Sequence, residues 1–77
     1  MNDKRRAKLR DAVGYLNMAA KNVGIVHDEE EDSLNNMPES LEGTDRYSEM
    51  EDNVDLLEDI ADDIDRVIGS ITSIKGV

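Results

Sequence analysis

Residues 47–71 read YSEMEDNVDLLEDIADDIDRVIGSI, and this stretch decides the fold. Its apolar side chains recur at alternating intervals of three and four residues, the spacing of positions a and d in a heptad. These positions are held by Tyr47, Met50, Val54, Leu57, Ala61, Ile64, Ile68 and Ile71. Most residues between them are Asp or Glu. The pattern therefore predicts one long amphipathic helix with an apolar seam on one side.

A first helix with the same seam precedes this stretch. Its seam is formed by Leu9, Val13, Leu16, Ala20 and Val23. In both helices a flanking row at position g widens the seam; it comprises Ala12, Ala19 and Val26 in the first helix and Ile60, Val67 and Ile74 in the second. Two helices with matching seams are readily explained as facing each other. The predicted fold is all-α, a two-helix antiparallel hairpin resembling a coiled coil.

The predicted boundaries divide residues 1–77 into one domain with a helix over about 3–32, a connection over 33–44 and a helix over about 45–74. Pro38 disfavours helix at Met37, and it suits the first position of a short helical turn that Gly43 closes. Thr44 is the preferred N-cap of the second helix, although Ser48 and Glu51 have capping-box spacing and form a rival start. Gly14 and Gly24 either weaken the first helix or mark a close approach of the two helices.

Composition narrows the range of functions. The chain has 77 residues, 9 Lys and Arg against 19 Asp and Glu, a net charge of −10 and no Cys. An acidic surface is repelled by nucleic acids and anionic membranes, so neither is expected as a direct partner. No apolar run approaches the ~20 residues of a membrane span. No nucleophile is paired with a base and no phosphate-binding loop is present, so we expect no enzymatic activity and no cofactor.

A single hairpin leaves much of a widened stripe exposed to water. We therefore expect a homodimer in which two hairpins form a four-helix bundle. The self-association seam would comprise Leu9, Val13, Leu16, Ala20, Val23, Met50, Val54, Leu57, Ala61, Ile64, Ile68 and Ile71. The run from Lys4 to Arg10 makes the terminal end basic, whereas the bend is acidic. An antiparallel dimer would place basic ends against acidic bends.

Two local patterns raise the question of a metal site. Asp28, Glu30, Asp32, Asn36 and Glu39 occupy positions of an EF-hand-like calcium loop, although Ser33 stands where that loop needs glycine. The simpler interpretation is that these residues form an acidic helix end exposed to solvent. We therefore expect no bound metal. His27 continues the seam at position a. We interpret it as a histidine at the seam edge, hydrogen-bonded to an acid or to water.

The carboxylates of the second helix form the candidate partner-binding face. It comprises Glu51, Asp52, Asp55, Glu58, Asp59, Asp62 and Asp63. One interpretation is a solubilising surface. The other is a mimic of a phosphate backbone that occupies the basic groove of a nucleic-acid-binding protein. Its binding to that protein would weaken at high salt.

Residues 35–47 read NNMPESLEGTDRY, and Met50-Glu51 and an Asp/Ile-rich helix follow. This part of the chain, over roughly residues 28–74, resembles small acidic proteins encoded by bacteriophages, prophages and other mobile elements of bacteria. In those proteins an Asn-Met/Leu-Pro-Glu-Ser-Leu connection joins two acidic heptad helices. The family has no assigned function, so no functional residue carries over. The resemblance implies a cytoplasmic protein made in a bacterial host cell, acting on host machinery.

Together these patterns predict a non-enzymatic protein-binding module. The leading hypothesis is a phage or mobile-element accessory protein that binds a basic host protein as an acidic inhibitor. The alternatives are a structural, self-associating bundle or scaffold component and a calcium-responsive hairpin.

Overall fold

A computed structural model of the chain describes all residues from 1 to 77. Helix α1 spans Asp3–Asn35, a short 3-10 helix spans Glu39–Leu41, and helix α2 spans Asp45–Thr72. The two long helices pack against each other along their length, and there are no strands. The prediction of an all-α, two-helix hairpin is confirmed. Neither helix contains a stretch that is both long and apolar enough to cross a bilayer.

Helix α1 begins with a cap that the sequence pattern did not single out. The side chain of Asn2 accepts a hydrogen bond from the backbone N–H of Arg5 at 2.8 Å, which satisfies one of the free donors of the first turn. The helix ends at Asn35, three residues beyond the predicted end at 32. It continues because the acidic residues 28–32 only weaken the last turns, whereas Leu34 extends the seam and is half-buried.

The connection is held by backbone hydrogen bonds and one helix cap. The N–H of Leu41 donates to the carbonyl of Pro38 at 2.9 Å, and Gly43 has a φ of 83°, a conformation that glycine adopts without steric cost. Thr44 then caps α2, because its Oγ1 accepts from the N–H of Tyr47 at 3.3 Å. The prediction of Thr44 as N-cap is confirmed, and the rival start at Ser48 is wrong.

Helix α2 ends at Thr72, two residues before the predicted end at 74. The hydroxyls of Thr72 and Ser73 both donate to the carbonyl of Gly69, at 3.0 and 2.8 Å. Such local bonds compete with continuation of the helix. The chain then turns at Gly76, whose φ is 85°, close to Met1.

The core of the hairpin extends along the interface between the two helices. The seam residues of both helices lie between α1 and α2, and all are half-buried except Val54, which is 8% exposed. The hairpin measures 60 × 15 × 13 Å. A Cβ placed on Gly14 or Gly24 would have no neighbour within 4 Å, so these glycines do not mark a close approach of the helices. Their effect is to weaken α1.

Candidate interaction surfaces

The two long sides of the hairpin differ in chemistry. On one side, residues at positions g and c of both helices meet across a groove of about 350 Å³, where Val26 of α1 faces Leu56 and Ile60 of α2. On the other side lie the residues at positions e and b. There Glu31 of α1 and Glu58 of α2 both lie near His27. The heptad therefore separates the surface into two faces.

The first side carries an exposed apolar surface, which we call the apolar face. Its apolar residues at positions g and c are Ala12, Tyr15, Ala19 and Val26 of α1 and Leu56, Ile60 and Val67 of α2, and Ile74 follows just beyond the end of α2. The large aliphatic side chains among them are between 37% (Ile60) and 58% (Leu56) exposed, and Tyr15 is 71% exposed. Between Ala12 and Val26 no residue at these positions of α1 is charged, whereas α2 has one charged residue, Asp63, between Ile60 and Val67. A group of exposed apolar residues on one side of a protein marks an interaction site more often than scattered exposed residues do.

The second side and the outer surface of α2 carry what we call the acidic face. It consists of exposed carboxylates at positions b, e and f, namely Glu51, Asp52, Asp55, Glu58, Asp59, Asp62 and Asp65. None of them forms an ion pair. Six of the seven predicted partner-binding residues belong to this face. Asp63 does not, because it lies at position c and its Oδ1 is 2.7 Å from Nη1 of Arg66.

The two ends of α1 carry opposite charges that find few partners within the hairpin. In the basic run, only Arg6 forms an ion pair, with Asp3 at 3.4 Å. Lys4, Arg5 and Lys8 lie together on the surface with Asn2. In the acidic run from 28 to 32, the only ion pairs are those that Asp28 and Glu31 form with His27. Most of these charges are therefore available to another molecule.

His27 lies at the edge of the seam, between two carboxylates of α1. Its side chain is 19% exposed, with Nδ1 3.1 Å from Oδ1 of Asp28 and Nε2 3.4 Å from Oε2 of Glu31. The hydrogen bond to Asp28 raises the pKa of His27, and the charges of Glu31, Asp28 and Glu58 act in the same direction, while desolvation opposes them. The interpretation as a seam-edge histidine bonded to an acid is confirmed. Glu58 could not be identified as a neighbour without the register of the two helices.

The residues of the EF-hand-like pattern are not brought together. Asp28 and Asp32 lie four residues apart on the uninterrupted α1 and share one side of it, whereas Glu30 lies on another side. Asn36 and Glu39 lie beyond the end of that helix. No group of three or more His, Asp or Glu side chains is placed to hold a metal ion. The calcium loop that the spacing suggested is therefore not formed.

Sequence reasoning missed two residues of the apolar face. Tyr15 and Leu56 lie at position c, outside the seam and its flanking row, so the heptad alone marks them as solvent-exposed. The available signal was the scarcity of charge along positions g and c of both helices, in a chain with 19 acidic residues. Comparison with protein-family models, with curated proteins and with solved structures finds no match to this chain.

Proposed function

We propose that this protein is a non-enzymatic protein-binding module that uses its acidic face to bind a basic protein of a bacterial host. In this proposal it is an accessory protein of a bacteriophage or another mobile element, acting in the host cytoplasm. The observation that carries the proposal is the acidic face itself, a row of exposed carboxylates on one rigid helix with no cationic partner. The resemblance of residues 28–74 to acidic hairpin proteins of mobile elements supports the biological setting.

The density of charge on this face favours a mimic of nucleic acid. Seven unpaired carboxylates lie between Glu51 and Asp65, a distance of about 21 Å by helical rise. This corresponds to about one charge per 3 Å of helix axis, and a strand of DNA carries one per ~3.4 Å. A basic groove that binds a phosphate backbone would therefore meet a similar linear charge density on α2.

The rows of carboxylates also follow a regular geometry. Glu51, Asp55, Glu58, Asp62 and Asp65 alternate at intervals of four and three residues, which places them in one line along the helix. The packing of α2 against α1 fixes the direction of this line. Because the charges are held in place before binding, little additional ordering is needed when a partner binds.

Binding to immobilised protein in a bacterial lysate, followed by mass spectrometry, tests the proposal. We expect capture of basic nucleic-acid-binding proteins, release by salt and displacement by duplex DNA, because the decoy and the DNA compete for one groove. The triple variant Asp55→Asn, Asp59→Asn, Asp62→Asn should lose this capture. The matched control Glu39→Gln, Glu42→Gln, Glu49→Gln removes as many charges elsewhere and should retain it. Equal capture by the two variants, or capture that duplex DNA does not displace, would contradict the proposal.

A second candidate function is that of a structural, self-associating bundle. It is favoured by the apolar face, which a lone hairpin leaves exposed to water. A homodimer would cover it, and the protein would then serve as an assembly or scaffold component. The two functions are compatible in one molecule because the two faces lie on different sides of the hairpin.

A further inference from the structure

The apolar face has charged residues of opposite sign at its two ends. Towards the terminal end of the hairpin, positions g and c of α1 are held by Arg5 and Lys8. Towards the bend, Glu29 lies at position c and Glu30 lies in the groove beside Val26. None of these four side chains forms an ion pair within the hairpin. Along α1 the face is thus apolar in its middle, basic at one end and acidic at the other, and the one charge that α2 adds to the middle, Asp63, is paired with Arg66.

We propose that the apolar face is the interface with a second copy of this chain, packed antiparallel so that Arg5 and Lys8 of each copy meet Glu29 and Glu30 of the other. A surface with this charge order is complementary to a second copy that is rotated by a half turn about an axis in the interface, perpendicular to the helices. The rotation places α1 on α1 of the second copy and α2 on α2. Each interface would then contain the same ionic contacts twice, as two-fold symmetry requires.

The apolar residues of the two helices are centred at the same level, which sets the register. In α1 they run from Ala12 to Val26 and are centred on Ala19. Along α2 they run from Leu56 to Val67 and continue with Ile74 just beyond the end of the helix, so that Ile60 and Val67 lie on either side of the middle. A two-fold axis at this level pairs Ile60 of each copy with Val67 of the other. The same axis brings Lys8 opposite Glu30, because each is eleven residues from Ala19.

The parallel arrangement is opposed by charge. Turning one copy about the long axis would place α1 on α2 of the other copy, with both bends at one end. Glu29 and Glu30 would then lie level with Asn53 of the other copy, with Glu49 at position c about one turn away and no basic residue at that level. Like charges in such an interface are strongly unfavourable. The basic residues Arg5 and Lys8 would meet the nearly neutral end of α2.

The size of the face suits a stable dimer. The hairpin is 60 Å long and 15 Å wide, so one broad side projects about 900 Å², against the ~800 Å² that each partner buries in a standard interface. The apolar residues occupy its middle and the charged residues its ends. This is the usual arrangement of an apolar core within a polar rim.

Sedimentation equilibrium at micromolar concentration tests the interface. We expect a dimer for the wild type, a monomer of unchanged helicity for Ile60→Asp, and a dimer for the control Asn17→Asp, which adds the same charge at position e. A wild-type monomer would overturn the proposal and leave the apolar face to a different protein. A helical dimer of Ile60→Asp would overturn it too. These outcomes are independent of the acidic-face proposal, whose triple variant of Asp55, Asp59 and Asp62 lies away from the apolar face.

The orientation is tested separately. The chain has no Cys, so a spin label on Ser33→Cys reports a single distance between the two copies. The antiparallel register predicts about 42 Å by helical rise, whereas a parallel dimer would place the labels within ~20 Å at the same end. We also expect Lys8→Glu to weaken the dimer roughly tenfold and the double variant Lys8→Glu, Glu30→Lys to restore it. A short label distance, or no rescue by the double variant, would refute the antiparallel arrangement.

Discussion

Helices α1 and α2 contribute unequally to the interface between them. Helix α2 provides Val54, the one buried residue of the chain, and a seam that includes Leu57, Ile64 and Ile68. Helix α1 is longer, yet none of its residues is buried and its seam contains no isoleucine, methionine or aromatic residue. It also contains Gly14 and Gly24 and carries basic residues at its N-terminal end, where the helix dipole disfavours them.

This difference indicates how the hairpin is stabilised. Helix α2 has the larger apolar side chains, and an acidic residue, Asp45, stands favourably in its first turn. Helix α1 gains most of its stability from packing against α2 rather than from its own propensity. Changes in the seam of α2 should therefore have larger effects than matched changes in α1.

The largest effect is expected from truncation of the buried valine. Val54→Ala should lower the free energy of unfolding by about 2 kcal/mol, because it removes two buried methyl groups and leaves a small cavity. Val23→Ala, at a half-buried seam position of α1, should cost about half as much. Urea denaturation followed by circular dichroism, with all variants at one protein concentration, measures both. Equal losses, or a larger loss from Val23→Ala, would show that the two helices share the core evenly.

A smaller effect of opposite sign is expected from the glycines of α1. Gly14→Ala should raise the free energy of unfolding by about 0.5–1 kcal/mol. The added methyl group has no neighbour within 4 Å, and alanine restricts the unfolded chain. Gly43→Ala is the matched control, because its φ of 83° disfavours any side chain and the variant should lose stability. If Gly14→Ala were destabilising, α1 would need flexibility at this position.

The sequence predicted the seam better than it predicted the ends of the helices. The seam follows from spacing alone, since each a or d residue lies on one side of a helix whatever its neighbours are. The residue at which α1 ends depends on a balance of small free-energy contributions. Acidic residues near a helix C-terminus cost a few tenths of a kcal/mol each, and partial burial of Leu34 is of comparable or larger size. Pro38 limits how far α1 can extend but does not fix its last residue, so the prediction ended α1 three residues too early.

The two faces could be predicted only in part. Positions g and e can be assigned from the sequence, and the flanking row at position g was recognised as part of the apolar stripe. The meeting of the two g rows in one groove, with Val26 opposite Leu56 and Ile60, depends on how the two helices are aligned. Asp63 is a different case, because its position follows from the heptad alone and could have excluded it from the acidic face. It belongs to the acidic run of α2 by composition, but it lies at position c and pairs with Arg66.

The smallest effect concerns His27, where the seam of α1 meets carboxylates of both helices. Because the pKa of His27 is raised in the folded state, protonation favours folding. This stabilisation is fully present below the unfolded pKa of about 6.5, and it is lost as the pH rises through the higher folded value. Three carboxylates cause the rise, Asp28 and Glu31 on α1 and Glu58 on α2. The melting temperature of the wild type should therefore decrease between pH 6 and pH 8 relative to that of His27→Gln.

The contribution of α2 to this effect can be isolated with Glu58→Gln. This variant keeps the hydrogen bond to Asp28 and removes the one charge that comes from the other helix, so the pKa of His27 should fall only slightly. Glu51→Gln, one heptad earlier on the same face, is the matched control and should leave the pKa of His27 unchanged. Proton NMR of the imidazole gives these values directly. If Glu58→Gln left the pKa of His27 unchanged while Glu31→Gln lowered it, only carboxylates of α1 would determine that pKa. The two helices would then interact near His27 through the apolar seam only.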